Sequence, residues 1–256
     1  MEAYIVGKGS RMHKGVAQEH RQKTFHIILL CKNLTGYKNL MKLSSTSYLD
    51  GFYYKPRMDK EVLREQSEGL IGLSACLNGE ITSLHLKGKD LDAQKAVEEH
   101  LDIFGKDNFY IEIQRHGMKE DRAYEKNLKL AKHMGLKYVA TNDVHYTNKN
   151  HWESHDLLIC LQSNHLRTDS NRMKYKEKEF YLRSPSEMRK LFDDLPEACD
   201  ATLEISERCN VKLDFDSYHL PIFKIPDDEP ETDADLYLSS ICEEGLKKYI
   251  GKSLLN

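Results

Sequence analysis

The feature that most constrains the fold is an alternation between short aliphatic runs and longer stretches with apolar residues at helical spacing. The short runs predict β-strands at residues 3–6, 25–31, 70–74, 109–114 and 138–141. Several of them are nearly continuous aliphatic segments, which is typical of strands covered on both faces. Between them, stripes such as Tyr124, Leu128 and Ala131 predict amphipathic helices, the last one ending at Gly135. The pattern predicts an α/β fold.

The character of the chain changes after Asn148, where helices are predicted near residues 149–162, 185–192 and 196–209. Residues 226–235 are acidic, contain two prolines and have no apolar face, so we interpret them as a linker. Apolar residues at helical spacing follow it and predict one more helix. We therefore expect one domain over residues 1–225, and a linker with the first helix of a following domain over residues 226–256.

Composition limits the cellular setting. A mean hydropathy of -0.65 and 31% charged residues exclude an apolar segment of the roughly 20 residues that cross a bilayer. The first residues lack the pattern of a secretory signal, which favours the cytoplasm, and the six cysteines form no CxxC pair, which favours free thiols. Basic residues outnumber acidic ones over residues 1–65, which suits a nearby polyanion or is an ordinary solvated surface.

Polar residues follow the predicted strand at residues 138–141. If the extended backbone continues, Asp143 and His145 point to the same side, since side chains alternate with period two. Ligands of parallel α/β folds bind at this end of the strands. The alternative is a turn in which Asn142 and Asp143 bind their own backbone while His145 is exposed.

Two further residues allow a metal-binding interpretation. Cys76 follows the strand at residues 70–74, and its thiolate could bind a soft or borderline metal, although an isolated cysteine is also a common buried apolar residue. His26 lies within an aliphatic strand and is either a ligand or a hydrogen-bonded core histidine.

Alternation along residues 109–117 places Glu112, Gln114 and His116 on one face, which either lines a polar cavity or faces solvent. His151 and His155 are four residues apart without an HExxH motif, so we interpret them as structural. The sequence contains no GxxxxGK[ST], GxGxxG or GxSxG motif, which argues against P-loop, dinucleotide-binding and serine-hydrolase functions.

Read together, these segments resemble the polymerase-and-histidinol-phosphatase (PHP) domain of bacterial DNA polymerase III alpha subunits. The similarity extends over nearly the whole chain and rests on several phrases in the family's order. These phrases are EAY from Glu2, HIILLCKN from His26, LTGYKNL from Leu34, GLIGLSACLNGE from Gly69, ATNDVHY from Ala140 and EFYLRSP from Glu179.

The resemblance implies a distorted (βα)7 barrel whose strand ends collect metal ligands. The positions that match the family's ligands are Glu2, His26, Cys76, Asp143 and His145, with Glu112, His116 and Asn142 as supporting candidates around them. These donors suit Zn²⁺, with Mn²⁺ or Fe as alternatives. A metal-bound water could then hydrolyse a phosphodiester, as expected of a 3′-to-5′ exonuclease.

Compared with the family, Glu2 lies unusually close to the start of the chain, and the family's opening His-x-His segment is absent. We therefore expect a fragment of a barrel without its first strands. The family's polymerase aspartates, which bind Mg²⁺, are also absent, so the chain alone is not expected to polymerise DNA. We expect it to act within the replicative polymerase, with DNA and other polymerase subunits as partners and no membrane.

Two alternative functions remain compatible with the sequence. One is a catalytically inactive PHP scaffold that binds other polymerase domains or a proofreading subunit. The other is an independent phosphoesterase of the same superfamily, against which the terminal linker and helix argue.

Overall fold

The computed structural model describes residues 1–15, 23–218, 220–230 and 232–253. Strands and helices alternate through the first 140 residues, and helices follow. The strands are β1 (Glu2–Val6), β2 (Thr24–Cys31), β3 (Arg57–Met58), β4 (Leu70–Leu73), β5 (Phe109–Ile113) and β6 (Tyr138–Ala140). The helices are α1 (Leu34–Leu49), α2 (Lys60–Glu65), α3 (Glu80–Leu86), α4 (Asp90–Phe104), α5 (Arg122–Met134), α6 (Trp152–Ser163), α7 (Pro185–Leu191), α8 (Pro196–Arg208) and α9 (Ala234–Ser253).

The described strands form one mixed sheet in the order β3-β1-β2-β4-β5-β6. Strand β2 pairs antiparallel with both β1 and β4, whereas the β1–β3, β4–β5 and β5–β6 pairs are parallel. The predicted α/β class is therefore confirmed. Within the described residues the sheet does not close on itself, so the (βα)7 barrel stays a prediction.

The five predicted strands are present within one or two residues at each end. Strand β2 differs from the expectation of two covered faces, because its residues alternate between buried and partly exposed. Strand β3 was not predicted, because it has only two residues and contains the buried cation Arg57. Its guanidinium donates hydrogen bonds to the carbonyl oxygens of Gly51, Arg11 and His13, which explains why an arginine is tolerated there.

Helix boundaries follow local chemistry. The Asn33 side chain accepts a hydrogen bond from the Gly36 amide and caps α1, while Gly135 ends α5 in the left-handed conformation. Gly36 also lies against Gly69, and a Cβ on Gly36 would come within 2.0 Å of the Gly69 carbonyl oxygen. This close approach packs α1 onto the segment that leads into β4.

The chain divides into two units, residues 1–212 and residues 213–256. The first contains the sheet and its core, in which Phe109, Tyr110, Tyr124 and Phe192 are fully buried. The second contains α9. The domain boundary expected at residues 225–226 stays a prediction. Among the helices of the described residues, none combines the length and the apolar character needed to span a bilayer.

Candidate metal centre

The antiparallel pairing of β1 and β2 brings the first two predicted ligands together. Tyr4 lies opposite His26, and Glu2 lies opposite Ile28, so Glu2 and His26 are diagonal neighbours on one face of the sheet. Ala3 and Ile27 point to the other face, into the core. A Glu2 carboxylate oxygen contacts Nδ1 of His26, and this hydrogen bond from His26 holds the pKa of the Glu2 carboxyl below its ordinary value.

The loop after β4 brings Cys76 to the same place. Because β4 pairs antiparallel with β2, the chain leaving Leu73 runs back beside His26, whose amide donates a hydrogen bond to the Asn78 carbonyl at 3.0 Å. The Gly79 amide closes a turn onto the Cys76 carbonyl at 2.8 Å. As a result, the Cys76 thiol lies 3.6 Å from Nδ1 of His26.

These contacts form a group of three possible metal ligands. One donor atom each from Glu2, His26 and Cys76 lies within 4.8 Å of the other two. Burial raises the pKa of the Cys76 thiol to about 12, and the negative charges of Asp143 and Glu2 add to this effect. The thiol is therefore protonated in the metal-free protein, so binding of a cation would release that proton.

Among the described residues, Asp143 and His145 are not within the 4.8 Å group of possible ligands, although they lie beside it. Strand β6 ends at Ala140, and Asp143 adopts a left-handed backbone with φ of 44°, so the extended geometry considered for this segment does not occur. The Asp143 side chain nevertheless lines the same cavity as Cys76. Burial raises the pKa of Asp143, and the charge of His145 opposes that rise.

His145 is held in one tautomer by its two neighbours. Its Nδ1 lies 2.6 Å from the Asp143 carbonyl oxygen, which can only accept a hydrogen bond, so Nδ1 carries the proton. Its Nε2 lies 2.8 Å from the hydroxyl of Tyr175, which donates to it when the imidazole is neutral. An unprotonated imidazole nitrogen is the atom that binds metals. In His145 this atom is Nε2, and its lone pair is directed at Tyr175.

Glu112 connects three strand ends behind the ligand loops. One carboxyl oxygen accepts a hydrogen bond from the amide of Ala75 at 2.9 Å, and the other accepts one from the hydroxyl of Thr141 at 2.6 Å. Ala75 precedes Cys76 and adopts a left-handed backbone with φ of 62°, a conformation that is strained for alanine. Glu112 therefore secures the Cys76 loop and the start of the Asp143 loop to β5.

His116 and Asn142 support the opposite side of the cavity, which has a volume of about 310 Å³. Nε2 of His116 donates to the Asn142 carbonyl at 3.1 Å, and the Asn142 amide in turn donates to the Tyr181 carbonyl at 2.7 Å. Nδ1 of His116 is buried and has no hydrogen-bond partner in the described chain. Glu112, Gln114 and His116 are all at most 3% exposed, so the solvent-facing alternative is wrong.

The chain is similar to known proteins over most of its length. The PHP domain family model matches residues 1–116. The chain is 42% identical to the DNA polymerase III subunit alpha of Treponema pallidum over 80% of this chain and 18% of that protein. It is 41% identical to the subunit of Borreliella burgdorferi over 96% of this chain and 21% of that protein. It is 40% identical to the subunit of Thermus aquaticus over 90% of this chain and 19% of that protein.

Residues 1–116 of the chain belong to the PHP domain family. The resemblance inferred from its motifs is confirmed. The chain spans about a fifth of the length of the relatives named above. A PHP domain carries a metal-binding site, and the Glu2, His26 and Cys76 group lies within the matched residues. The full ligand set stays a prediction.

Three residues around the PHP site carry no sequence pattern that marks them as parts of it. Tyr175 binds His145, Thr141 binds Glu112, and the His155 ring lies 5.4 Å from the His145 ring. The four-residue spacing of His151 and His155 indicates a shared helix face but no link to His145. Tyr175 lies 30 residues from His145 in sequence, and no spacing rule connects the two.

The buried carboxyl of Glu112 is expected to make the stability of the PHP domain depend on pH. Burial raises the pKa of Glu112 to about 7, against hydrogen bonds from Thr141 and Ala75 that lower it. Because an unfolded glutamate titrates near 4.5, the unfolded chain loses its proton first. Stability from this group is thus fully present below about pH 4.5 and is lost as pH rises toward about 7.

We expect Glu112→Gln to reduce the difference in unfolding free energy between pH 5 and pH 8 by about 1 to 3 kcal/mol. Urea denaturation in EDTA at both pH values measures this difference. Glu187→Gln is the matched control, because hydrogen bonds from Ser184 lower the pKa of Glu187 to about 2, so that it is ionised throughout this range. An unchanged pH dependence in Glu112→Gln would contradict the expectation.

Proposed function

We propose that this PHP domain binds Zn²⁺, with Mn²⁺ or Fe as alternatives, and hydrolyses phosphodiester bonds at the 3′ ends of DNA. The observation that carries the proposal is the convergence of Glu2, His26 and Cys76 from separate parts of the sequence to within 4.8 Å. Asp143 and His145 complete the proposed ligand set from the loop after β6. Glu112 and Asn142 hold these loops in place.

The donor atoms fit such an ion. Carboxylate, imidazole and thiolate ligands together are typical of zinc, whereas the harder cations prefer oxygen ligands alone. The unpartnered Nδ1 of His116 is buried at the same cavity, and a bound cation would satisfy it. We therefore include His116 as a candidate ligand in addition to its supporting role.

In the proposed reaction the ion and the protein would have different roles. A bound ion would polarise the phosphate and activate a water molecule. The Asp143 carbonyl holds the proton of His145 on Nδ1 and leaves the lone pair on Nε2, where the ion would replace the hydrogen bond from Tyr175. Phe180, stacked at 4.4 Å on His116, lines the same cavity.

We further propose that the domain works as part of a DNA polymerase III alpha subunit, a DNA-directed DNA polymerase of bacterial replication. The names and identities of its relatives support this placement. Its partners would then be DNA and other replicative polymerase subunits in the cytoplasm. The Mg²⁺ of nucleotidyl transfer would belong to the polymerase site of that subunit and not to the PHP site.

The experiment combines metal analysis with an exonuclease assay. The purified chain is expected to contain stoichiometric metal and to shorten the labelled 3′ end of a primed template. His145→Ala should lower the rate by about 10- to 100-fold or more, as loss of a metal-site residue does, whereas His133→Ala on the exposed face of α5 should not. A metal-free and inactive chain would contradict the proposal and favour the scaffold function. Hydrolysis of small phosphate monoesters alone would favour an independent phosphoesterase.

A further inference from the structure

A second cavity, of about 250 Å³, lies next to the candidate metal centre. Aromatic rings and basic side chains both line it, and we call it the lysine-aromatic groove. It is lined by Trp152, His155, Lys174, Tyr175, Lys176 and Lys178, among others. Lys174, Tyr175 and Lys176 also line the cavity that contains Cys76, Asp143 and His116. The groove and the metal cavity therefore share one wall.

The aromatic rings form a continuous path between the two cavities. His116 stacks on Phe180, whose ring centre lies 4.6 Å from that of Tyr175. The Tyr175 ring lies 5.3 Å from His155, which in turn lies 5.4 Å from Tyr146. A flat ligand in the groove could contact the Tyr175 and His155 rings, and Tyr175 packs in turn against the buried Phe180 and His116 rings at the metal cavity.

The residues that line the groove carry a positive net charge, because five basic side chains accompany two acidic ones, Asp156 and Glu177. The Asp156 carboxylate is bound by Arg172 at 2.6 and 2.8 Å, so this acidic residue is already paired. Lys174 and Lys176 are exposed and have no carboxylate within 4.0 Å in the part of the chain that the structure describes. Nζ of Lys178 lies 3.6 Å from the ring centre of Trp152, which places a cation beside an aromatic face.

Aromatic faces alternating with free cations match the chemistry of single-stranded nucleic acid. Bases of a single strand can stack on aromatic side chains, while lysines contact the phosphates between them. In a duplex the base faces are already stacked on one another, so they cannot use these rings. An acidic peptide would satisfy the lysines but would leave the rings without a partner.

We propose that the lysine-aromatic groove binds the single-stranded nucleotides next to the 3′ end and directs that end into the metal cavity. That the 3′ end points toward the metal cavity rests on the proposed function. Binding of the strand to the groove requires no metal. Trp152 would stack on a base, Lys174 and Lys176 would contact phosphates at the shared wall, and Tyr175 would lie between groove and metal centre.

The test measures binding of a fluorescein-labelled oligothymidylate to the full chain in EDTA, by anisotropy at several salt concentrations. Trp152→Ala should weaken binding by at least about fivefold, the lower end of the effect of one stacked base. Lys174→Gln with Lys176→Gln should reduce the slope of log K against log salt by about 1.4, since each phosphate contact contributes about 0.7. The matched control is Lys38→Gln with Lys42→Gln on the exposed face of α1, which should leave the slope unchanged.

Three results would overturn the proposal. The two lysine pairs could change the salt slope equally, a blunt duplex could bind as tightly as the oligothymidylate, or polyglutamate could compete for the groove as well as unlabelled oligothymidylate does. Thermal unfolding of each variant distinguishes loss of binding from loss of folding. Because Lys174 and Lys176 are exposed, their double variant tests the groove even if Trp152→Ala does not fold. Because the assay contains EDTA, an inactive metal centre would leave this binding unchanged. Failure of the proposed hydrolysis and failure of the groove are therefore distinguishable.

Discussion

Replacing Cys76 with serine is expected to lower the affinity for Zn²⁺ by more than about 100-fold, because mutation of residues that merely support metal ligands already costs about 10- to 100-fold. The thiol is the softest donor of the group and lies 3.6 Å from Nδ1 of His26. Competition with a chromophoric chelator measures the affinity. Cys242→Ser is the matched control, because Cys242 is exposed on α9, outside the unit that contains the site.

The pH dependence of zinc affinity gives a second and independent measurement of the same variant. Burial raises the pKa of the Cys76 thiol to about 12, so the thiol must release a proton whenever it binds a metal at neutral pH. Affinity therefore rises with pH, and Cys76→Ser is expected to reduce the slope of log K against pH by about one proton. Equal affinities and slopes for Cys76→Ser and Cys242→Ser would exclude Cys76 from the metal centre.

Replacing Gly79 with alanine is expected to destabilise the sheet-containing unit by about 3 kcal/mol or more, the upper range for overpacking of a core. An added Cβ would lie 2.0 Å from the Ser74 carbonyl oxygen, which is backbone and cannot rotate away. The loop between these two residues contains Cys76, and the Gly79 amide closes it onto the Cys76 carbonyl. The variant should therefore lose zinc affinity together with stability.

Urea denaturation followed by the fluorescence of Trp152 measures this effect, since the chain contains one tryptophan and it lies in the sheet-containing unit. Gly245→Ala is the control. A Cβ at Gly245 meets nothing within 4 Å, and alanine is favoured over glycine within a helix such as α9 by about 0.5 to 1 kcal/mol. The Trp152 transition should not change in the control. If Gly79→Ala unfolded at the same urea concentration as the unmodified chain, the tight turn at the site would not constrain the fold.

The five main strands were predictable because burial on a sheet requires apolar residues in short runs, and such runs are visible in one sequence. Strand β3 was not predictable, because two residues with a buried arginine carry no periodic signal. The helix ending at Gly135 was predictable from the preference of glycine for the left-handed conformation at helix ends.

The candidate site was predictable only in part. Alternation correctly grouped Glu112, Gln114 and His116 on one face, because side-chain direction along a strand is a local property. Alternation could not show whether this face lines a cavity or meets solvent. That depends on the packing of α5 and of the loop around Phe180 over the face. The left-handed backbone at Asp143 likewise changed the geometry of the segment after β6 in a way that no residue pattern indicated.

The sequence by itself determined the α/β class, the positions of the main strands and the family, because these depend on local periodicity and on motifs in a fixed order. The tertiary structure alone decided which side chains meet. The antiparallel pairing of β2 with both β1 and β4 places Glu2, His26 and Cys76 together, and strand pairing is a contact between distant segments. The same holds for Tyr175 and His145, whose hydrogen bond joins two loops that have no local reason to be neighbours.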